Sequence, residues 1–353
     1  MSFINYIIYT FFSNDTVERN FCRTICFLAF HSFLYIILNP QFYTYIILNI
    51  YTSGDLYCTL YTGVLLFQLY NIYKLNCIGK YTNTVKIIKI IVFIQLLLCN
   101  LFFYNGSNNI QKIRYSNNKF KLYDNWLIYF DSALFPNLPF GQLSLYIDYK
   151  LDSTNTVYKI CNTILQLSYF SYYFWGNLLL LYFGYLYLKS TDKYNNRILY
   201  RIILKLLTSW VSGFLFSFTV NLLIPAVSPR IYLKNKYTQP LNGFFPFQYF
   251  NNLITDLASN TFSSFPSAHN SFTFIIFIIS YNLELYKYSY ITLFASFLIT
   301  ISTIVLRYHY FIDILCSFFI SYFSLYIGGF YSKKKIYKDL QIFENEDISL
   351  VYN

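Results

Sequence analysis

A series of apolar runs, each near the length of a membrane-crossing helix, limits how this chain can fold more than any other feature. A hydrocarbon core about 30 Å thick is crossed by about 20 mostly apolar residues. Such runs lie at about 22–39, 56–74, 87–104, 160–188, 199–224, 268–283, 288–305 and 308–330. They predict an all-α multi-pass membrane protein with about eight transmembrane helices. Asn, Ser and Tyr interrupt several runs, which suits contacts between helices of a bundle. The stretch 3–12 is too short to span and lacks the basic flank of a cleaved signal peptide.

Composition excludes two other classes. Only 12% of the 353 residues are charged, about half of the roughly 25% usual in soluble domains. With 56% hydrophobic residues the chain is also too apolar for a disordered segment. The formal charge of +11 would suit nucleic acid, but the basic residues are distributed as an orientation signal. Lys74, Lys80 and Lys86, then Lys189, Lys193, Arg197 and Arg201, then Lys287 and Lys333 to Lys335 fall in alternate connections. With eight spans they share one side with Arg19 and Arg23, and the positive-inside rule makes that side cytosolic. Both termini are then cytosolic, the long loops 105–159 and 225–267 are lumenal, and nucleic acid drops out as a partner. The seven cysteines lie mostly in apolar runs and form neither a disulfide framework nor a metal set. The chain divides into amino-terminal membrane segments (1–85), a catalytic membrane domain (86–330) and a cytosolic tail (331–353).

Two of the three histidines stand in distinctive surroundings. One closes Phe265-Pro266-Ser267-Ala268-His269 and the other sits in Arg307-Tyr308-His309-Tyr310-Phe311-Ile312-Asp313. A third stretch, Pro225-Ala226-Val227-Ser228-Pro229-Arg230, is expected on the same lumenal face. His309 and Asp313 are four apart, so on a helix they share a face. A carboxylate on one ring nitrogen fixes the tautomer and leaves the other nitrogen free to attack. Ser267 and nearby backbone N–H groups form a helix start that favours an anion. His269, with an ordinary pKa of about 6.5, suits proton donation to a leaving oxygen. Arg230 and Arg307 suit phosphate oxygens, and Ser302 reads equally as a phosphate donor or a helix-packing residue. Asp131 either orients substrate or caps a short lumenal helix. His31 lies in the first run outside any motif and reads as a packing residue. The pattern describes phosphoryl transfer through a phosphohistidine, with no cofactor or metal required.

At these residues the chain resembles the type-2 phosphatidate phosphatase superfamily, and more closely its aureobasidin-resistance and inositolphosphotransferase branch, which contains inositol phosphorylceramide synthase. The segment Ser302-Thr303 through Arg307-Tyr308-His309 to Asp313 is similar to that branch's third motif. Asp131-Ser132-Ala133-Leu134-Phe135 and Tyr169-Phe170-Ser171-Tyr172-Tyr173-Phe174 look like further segments of the branch. The resemblance implies a six-helix core, a nucleophilic His309 oriented by Asp313, and His269 as proton donor and acceptor. It departs from the broad superfamily at Ala268, Thr303 and Leu223, where Gly, Arg and Lys are usual. Fewer cations favour a singly charged phosphodiester over a dianionic monoester. The expected activity is therefore transfer of a head group, phosphoinositol by resemblance, from a phosphatidylinositol-type donor to a ceramide-type acceptor. The expected place is an endomembrane, Golgi or endoplasmic reticulum, with a lumen-facing site. A lipid phosphate phosphatase and a non-catalytic transporter or scaffold are the competing readings.

Overall fold

The computed structural model describes residues 121–258 and 262–336, with residues 19–24, 26, 86, 87, 89, 90, 111 and 115 nearer the amino terminus. The described chain is all-helical. In order it forms α1 (Asp124–Leu134), α2 (Leu143–Lys150), α3 (Thr156–Lys189), α4 (Lys193–Leu223), the single turn α5 (Pro229–Tyr232), α6 (Phe247–Ala258), α7 (Ala268–Asn282), α8 (Tyr286–Val305) and α9 (Phe311–Gly328).

Local sequence explains where the long helices begin and end. The Asn155 side chain accepts the Val157 N–H at the start of α3, and Asp192 accepts the Asn195 N–H at the start of α4. Such caps satisfy donors that have no partner within the helix. The two helices are separated by only three residues, so they run back along each other. Gly329, at φ 73°, closes α9 in the left-handed conformation that glycine adopts without a side-chain clash.

Five helices, α3, α4, α7, α8 and α9, make the bundle, and α7 packs against the other four. The largest core cluster joins Ile203, Leu206 and Leu207 of α4 to Ile275 and Ile279 of α7 and to Leu179 and Phe183 of α3. Between α7 and α9 part of the contact is hydroxylic. Ser271 Oγ donates to the Ser317 carbonyl, and Ser321 Oγ donates to the Ser271 carbonyl. Small polar side chains of this kind let helices approach closely where no water can satisfy them. Gly328 serves the same end, since a Cβ there would lie 1.8 Å from Ser209 Oγ of α4. The outward faces are apolar and aromatic instead, with Phe294 and Phe297 on α8 and Phe319 and Phe323 on α9 exposed.

Among the described residues three segments are long and apolar enough to cross a membrane: Lys193–Leu223, Tyr286–Val305 and Phe311–Ile336. Eight were expected. The runs at 22–39, 56–74 and 87–104 lie largely outside the described residues. Helix α3 has ample length at 34 residues, but Tyr, Ser, Asn and Gln dilute its apolar content. Helix α7 has 15 residues, about 22 Å at 1.5 Å per residue, which falls short of the hydrocarbon core.

Candidate active site

Backbone hydrogen bonds sew the three sequence-distant motifs together at one end of the bundle. After α4, Ala226 N–H donates to the Phe262 carbonyl and Ser264 N–H returns to the Ala226 carbonyl. Asn221, near the end of α4, donates its side-chain amide to the carbonyls of Phe262 and Phe265. Arg230 N–H donates to the Arg307 carbonyl, and Ser267 N–H to the Asp313 carbonyl. The loop after α4, the loop before α7 and the loop before α9 therefore form one unit.

That unit brings the two histidines together. His309 Nε2 lies 3.4 Å from His269 Nδ1. His309 Nδ1 lies 2.7 Å from the Ser264 carbonyl oxygen and 3.2 Å from Asp313 Oδ2. A carbonyl oxygen can only accept, so Nδ1 carries the proton and the neutral ring presents a bare lone pair at Nε2. Asp313 is fully buried and its Oδ2 also accepts from Ser264 Oγ and the Tyr310 N–H. His269 is held by aromatic rings of α3: Tyr169 lies tilted against it at 4.4 Å and Tyr172 meets it edge-on at 4.4 Å. Tyr169 in turn packs on Tyr308, and the Arg230 guanidinium lies over the Tyr308 ring at 4.4 Å.

Helix α1 supports the turn that carries His309. Asp124 and Asp131 are seven apart, on one face of α1, and both are buried. Asp131 accepts the N–H groups of Phe311 and Ile312, the first turn of α9. Asp124 accepts the Tyr310 hydroxyl and the Val227 N–H. Burial pushes each carboxyl up to about 7, against the opposing pull of these hydrogen bonds, and the nearby Asp313 adds to the rise. Asp131 was expected to orient substrate or to cap a short lumenal helix; it caps instead the start of the long helix α9.

The expected phosphate ligands are placed less uniformly. Arg307, at φ 64°, donates to Asp148 Oδ1 at 2.6 Å and to the Gln239 carbonyl, and it stacks on Tyr237 at 4.0 Å. This is a buried ion pair, with side chains 9% and 3% exposed, and it occupies a guanidinium that the sequence reading offered to phosphate. Burial lowers the Arg307 pKa, with Asp148 countering. Arg230 directs its terminal nitrogens to Asn251, Thr255 and the Leu306 carbonyl, while its Nε has no hydrogen-bond partner among the described residues. Ser267 is the residue before α7 and accepts from the Asn270 amide. Ser302 is fully buried and donates to the Ile299 carbonyl within its own helix, as a packing serine does. Among the described residues no group of three or more His, Cys, Asp or Glu side chains is arranged to hold a metal.

The comparisons with known proteins address the same segments. The model of the PAP2 superfamily matches residues 204–335. This part of the chain is therefore similar to the PAP2 superfamily. A PA-phosphatase related-family protein of Dictyostelium discoideum is 36% identical over 205 residues, which is 55% of this chain and 37% of that relative. The chain thus spans well under half of the relative's length. No solved structure matches. The matched segment contains His269, His309, Asp313 and Arg230, so the paired rings and the carboxylate lie within it. The supporting Asp124, Asp131, Tyr169 and Tyr172 all precede the matched segment in sequence.

Ser264, Asp124 and Asp148 escaped the sequence reading. Ser264 acts through its main-chain oxygen, which no side-chain pattern reveals. Asp148 gave no signal without its distant partner. Asp124 did leave one: it and Asp131 are the only charged residues of α1 and lie two helical turns apart.

Proposed function

We propose that the chain is a lipid head-group phosphotransferase that works through a phosphohistidine at His309. The observation that carries this reading is the bare Nε2 of His309, made so by the Nδ1 contacts, facing His269 Nδ1 across 3.4 Å. His309 Nε2 attacks the phosphorus of a phosphodiester, and the P–N bond forms as the bond to the diacylglycerol oxygen breaks. That oxygen takes a proton from His269. His269 then accepts the proton of an acceptor hydroxyl as its oxygen attacks phosphorus and the P–N bond breaks. Phosphate oxygens are held by the Nε–H of Arg230, the one N–H of that guanidinium without a partner among the described residues, and by the helix start at Ser267. Seating the phosphate between the rings separates their present contact. Asp313, beside Nδ1, steadies the positive ring of the phosphoenzyme.

Charge supports the choice of substrate. The Arg307–Asp148 pair removes one cation from the phosphate-binding set, so a singly charged diester fits better than a dianionic monoester. The donor is a phosphatidylinositol-type lipid and the acceptor ceramide or a related alcohol. The setting is an eight-span, six-helix-core protein of an endomembrane, its site on the lumenal face and its termini cytosolic. The catalytic membrane domain is 86–330.

Incubation of purified protein with labelled phosphatidylinositol, with and without ceramide, tests this reading. Ceramide-dependent release of diacylglycerol supports transfer. The phosphatase reading draws on the relative's printed name, PA-phosphatase related-family protein. It predicts inorganic phosphate from phosphatidate with inert diesters.

A further inference from the structure

Helix α1 is inverted relative to a helix on a water-facing surface. Its two charged residues point inward, while Trp126, Tyr129, Phe130 and Leu134 point outward, with Trp126 47% and Tyr129 68% exposed. A helix bordering water shows the reverse arrangement. Helix α6 has a mixed outward face, where Tyr249 and Leu253 stand beside the exposed Gln248 and Asn252, and an inward face that includes the buried Phe247. Asn251 and Thr255 face inward to hold Arg230, whereas Tyr249 (66% exposed) and Leu253 face outward, and Phe245 projects just ahead of the helix.

Neither helix can span a bilayer, with 11 and 12 residues, under 20 Å each. Each is nevertheless joined by an aromatic pair to a long helix of the bundle. Phe135, at the end of α1, meets Phe311 of α9 with ring centroids 4.9 Å apart, and Phe250 of α6 meets Phe170 of α3 at 4.5 Å. The outward surface of α1 therefore continues into that of α9, and the surface of α6 into the exposed Leu167 and Phe174 of α3. Rings with an apolar body and a polar edge, as in Trp and Tyr, concentrate at the head-group level of a membrane. A short helix with such a face lies in the plane of the interface.

We propose that α1 and α6 lie in the head-group layer of the bilayer, with these aromatic faces on lipid. The occupant is a phospholipid surface, because both faces run on from the outward faces of bundle helices and α1 offers no exposed charge to water. The consequence is mechanical. The inner face of α1 caps α9 beside His309, and the inner face of α6 holds Arg230, so the bilayer presses directly on the two elements that shape the site. This inference concerns the seat of the protein and does not depend on which head group is transferred.

The test is photolabelling of the full chain in phosphatidylcholine vesicles, using phospholipids with a carbene precursor either in the head group or at the end of an acyl chain. The head-group probe is expected to label peptides containing Trp126, Tyr129 and Tyr249 more strongly than the chain-end probe. Phe294 and Phe297, in the middle of α8, should show the opposite preference. Labelled α8 with unlabelled α1 and α6 would overturn the proposal, as would crosslinks between copies through Trp126. Tryptophan fluorescence gives a second reading, because the chain has only 3 Trp. The difference between the unaltered protein and Trp126→Phe should be a blue-shifted emission quenched by lipids brominated near the glycerol. A water-like, unquenched difference spectrum would equally sink it. Neither measurement needs catalysis, so an inactive preparation leaves the outcome readable.

Discussion

His309 Nδ1 sits 2.7 Å from the main-chain oxygen of Ser264, closer than the 3.2 Å to Asp313 Oδ2. The tautomer that frees Nε2 is thus imposed by the backbone, and Asp313 contributes mainly charge. Where a carboxylate alone holds the tautomer, its conversion to Asn lowers kcat by about 10⁴-fold. In this protein Asp313→Asn should lower the transfer rate only about 10- to 100-fold, since the Ser264 carbonyl still accepts from Nδ1. A measured loss near 10⁴-fold would show that the carboxylate, not the carbonyl, sets the ring.

The two histidines should fail in different ways. His309→Ala removes the attacking atom, so no acid-labile phosphoenzyme should form from labelled donor. His269→Ala leaves the nucleophile and removes proton transfer, a loss of about 10²- to 10⁴-fold. That loss should shrink for a donor whose leaving group needs no proton, such as a p-nitrophenyl phosphodiester. Equal losses with both donors would remove His269 from the role of acid.

Arg307 should behave as a structural cation. Removing one partner of a buried ion pair strands the other, at a cost of about 3–5 kcal/mol. Arg307→Ala is therefore expected to lower the thermal midpoint of the detergent-solubilised protein sharply, and Asp148→Asn to do likewise. The KM of whatever enzyme remains folded should change little. A large rise in KM with an unchanged midpoint would return Arg307 to the phosphate.

Asp124 and Asp131, pushed up to about 7, make stability depend on pH. Both are raised above the ordinary carboxyl value of about 3.9. The folded state then binds more protons than the unfolded chain between about pH 4 and 7. Stability is fully present below that window, falls as pH rises through it, and is level above it. Each carboxyl contributes a slope of at most about 1.4 kcal/mol per pH unit. Thermal midpoints measured from pH 4.5 to 8 should decline toward neutrality. Asp131→Asn, although less stable at low pH, should show a shallower decline; an unchanged slope would mean that Asp131 does not titrate there.

The long helices and the two histidine motifs were legible in the sequence, for definite reasons. Apolar content over 20 residues is a local property, so the runs at 199–224, 288–305 and 308–330 find their counterparts in α4, α8 and α9 within a few residues. A four-residue spacing is also local, and His309 and Asp313 do come within 3.2 Å, although His309 lies in the turn before α9. The long-range partners were not legible in this way. Arg307 and Asp148 are 159 positions apart, and nothing near either residue distinguishes a phosphate ligand from a structural ion pair. The resemblance pointed to Tyr169 and Tyr172 as a stretch of interest without their task, which appears only once α3 lies beside α7.

What the sequence determined by itself was therefore what repeats or pairs within a turn or two of helix: apolar length, charge distribution and the histidine motifs. Tertiary structure alone decided which nitrogen of His309 is free, that Arg307 is paired with Asp148, and which groups Asp124 and Asp131 hold. Those outcomes depend on a carbonyl or a guanidinium arriving from another part of the chain, and hydrogen-bond geometry at about 3 Å is settled only when the helices have packed.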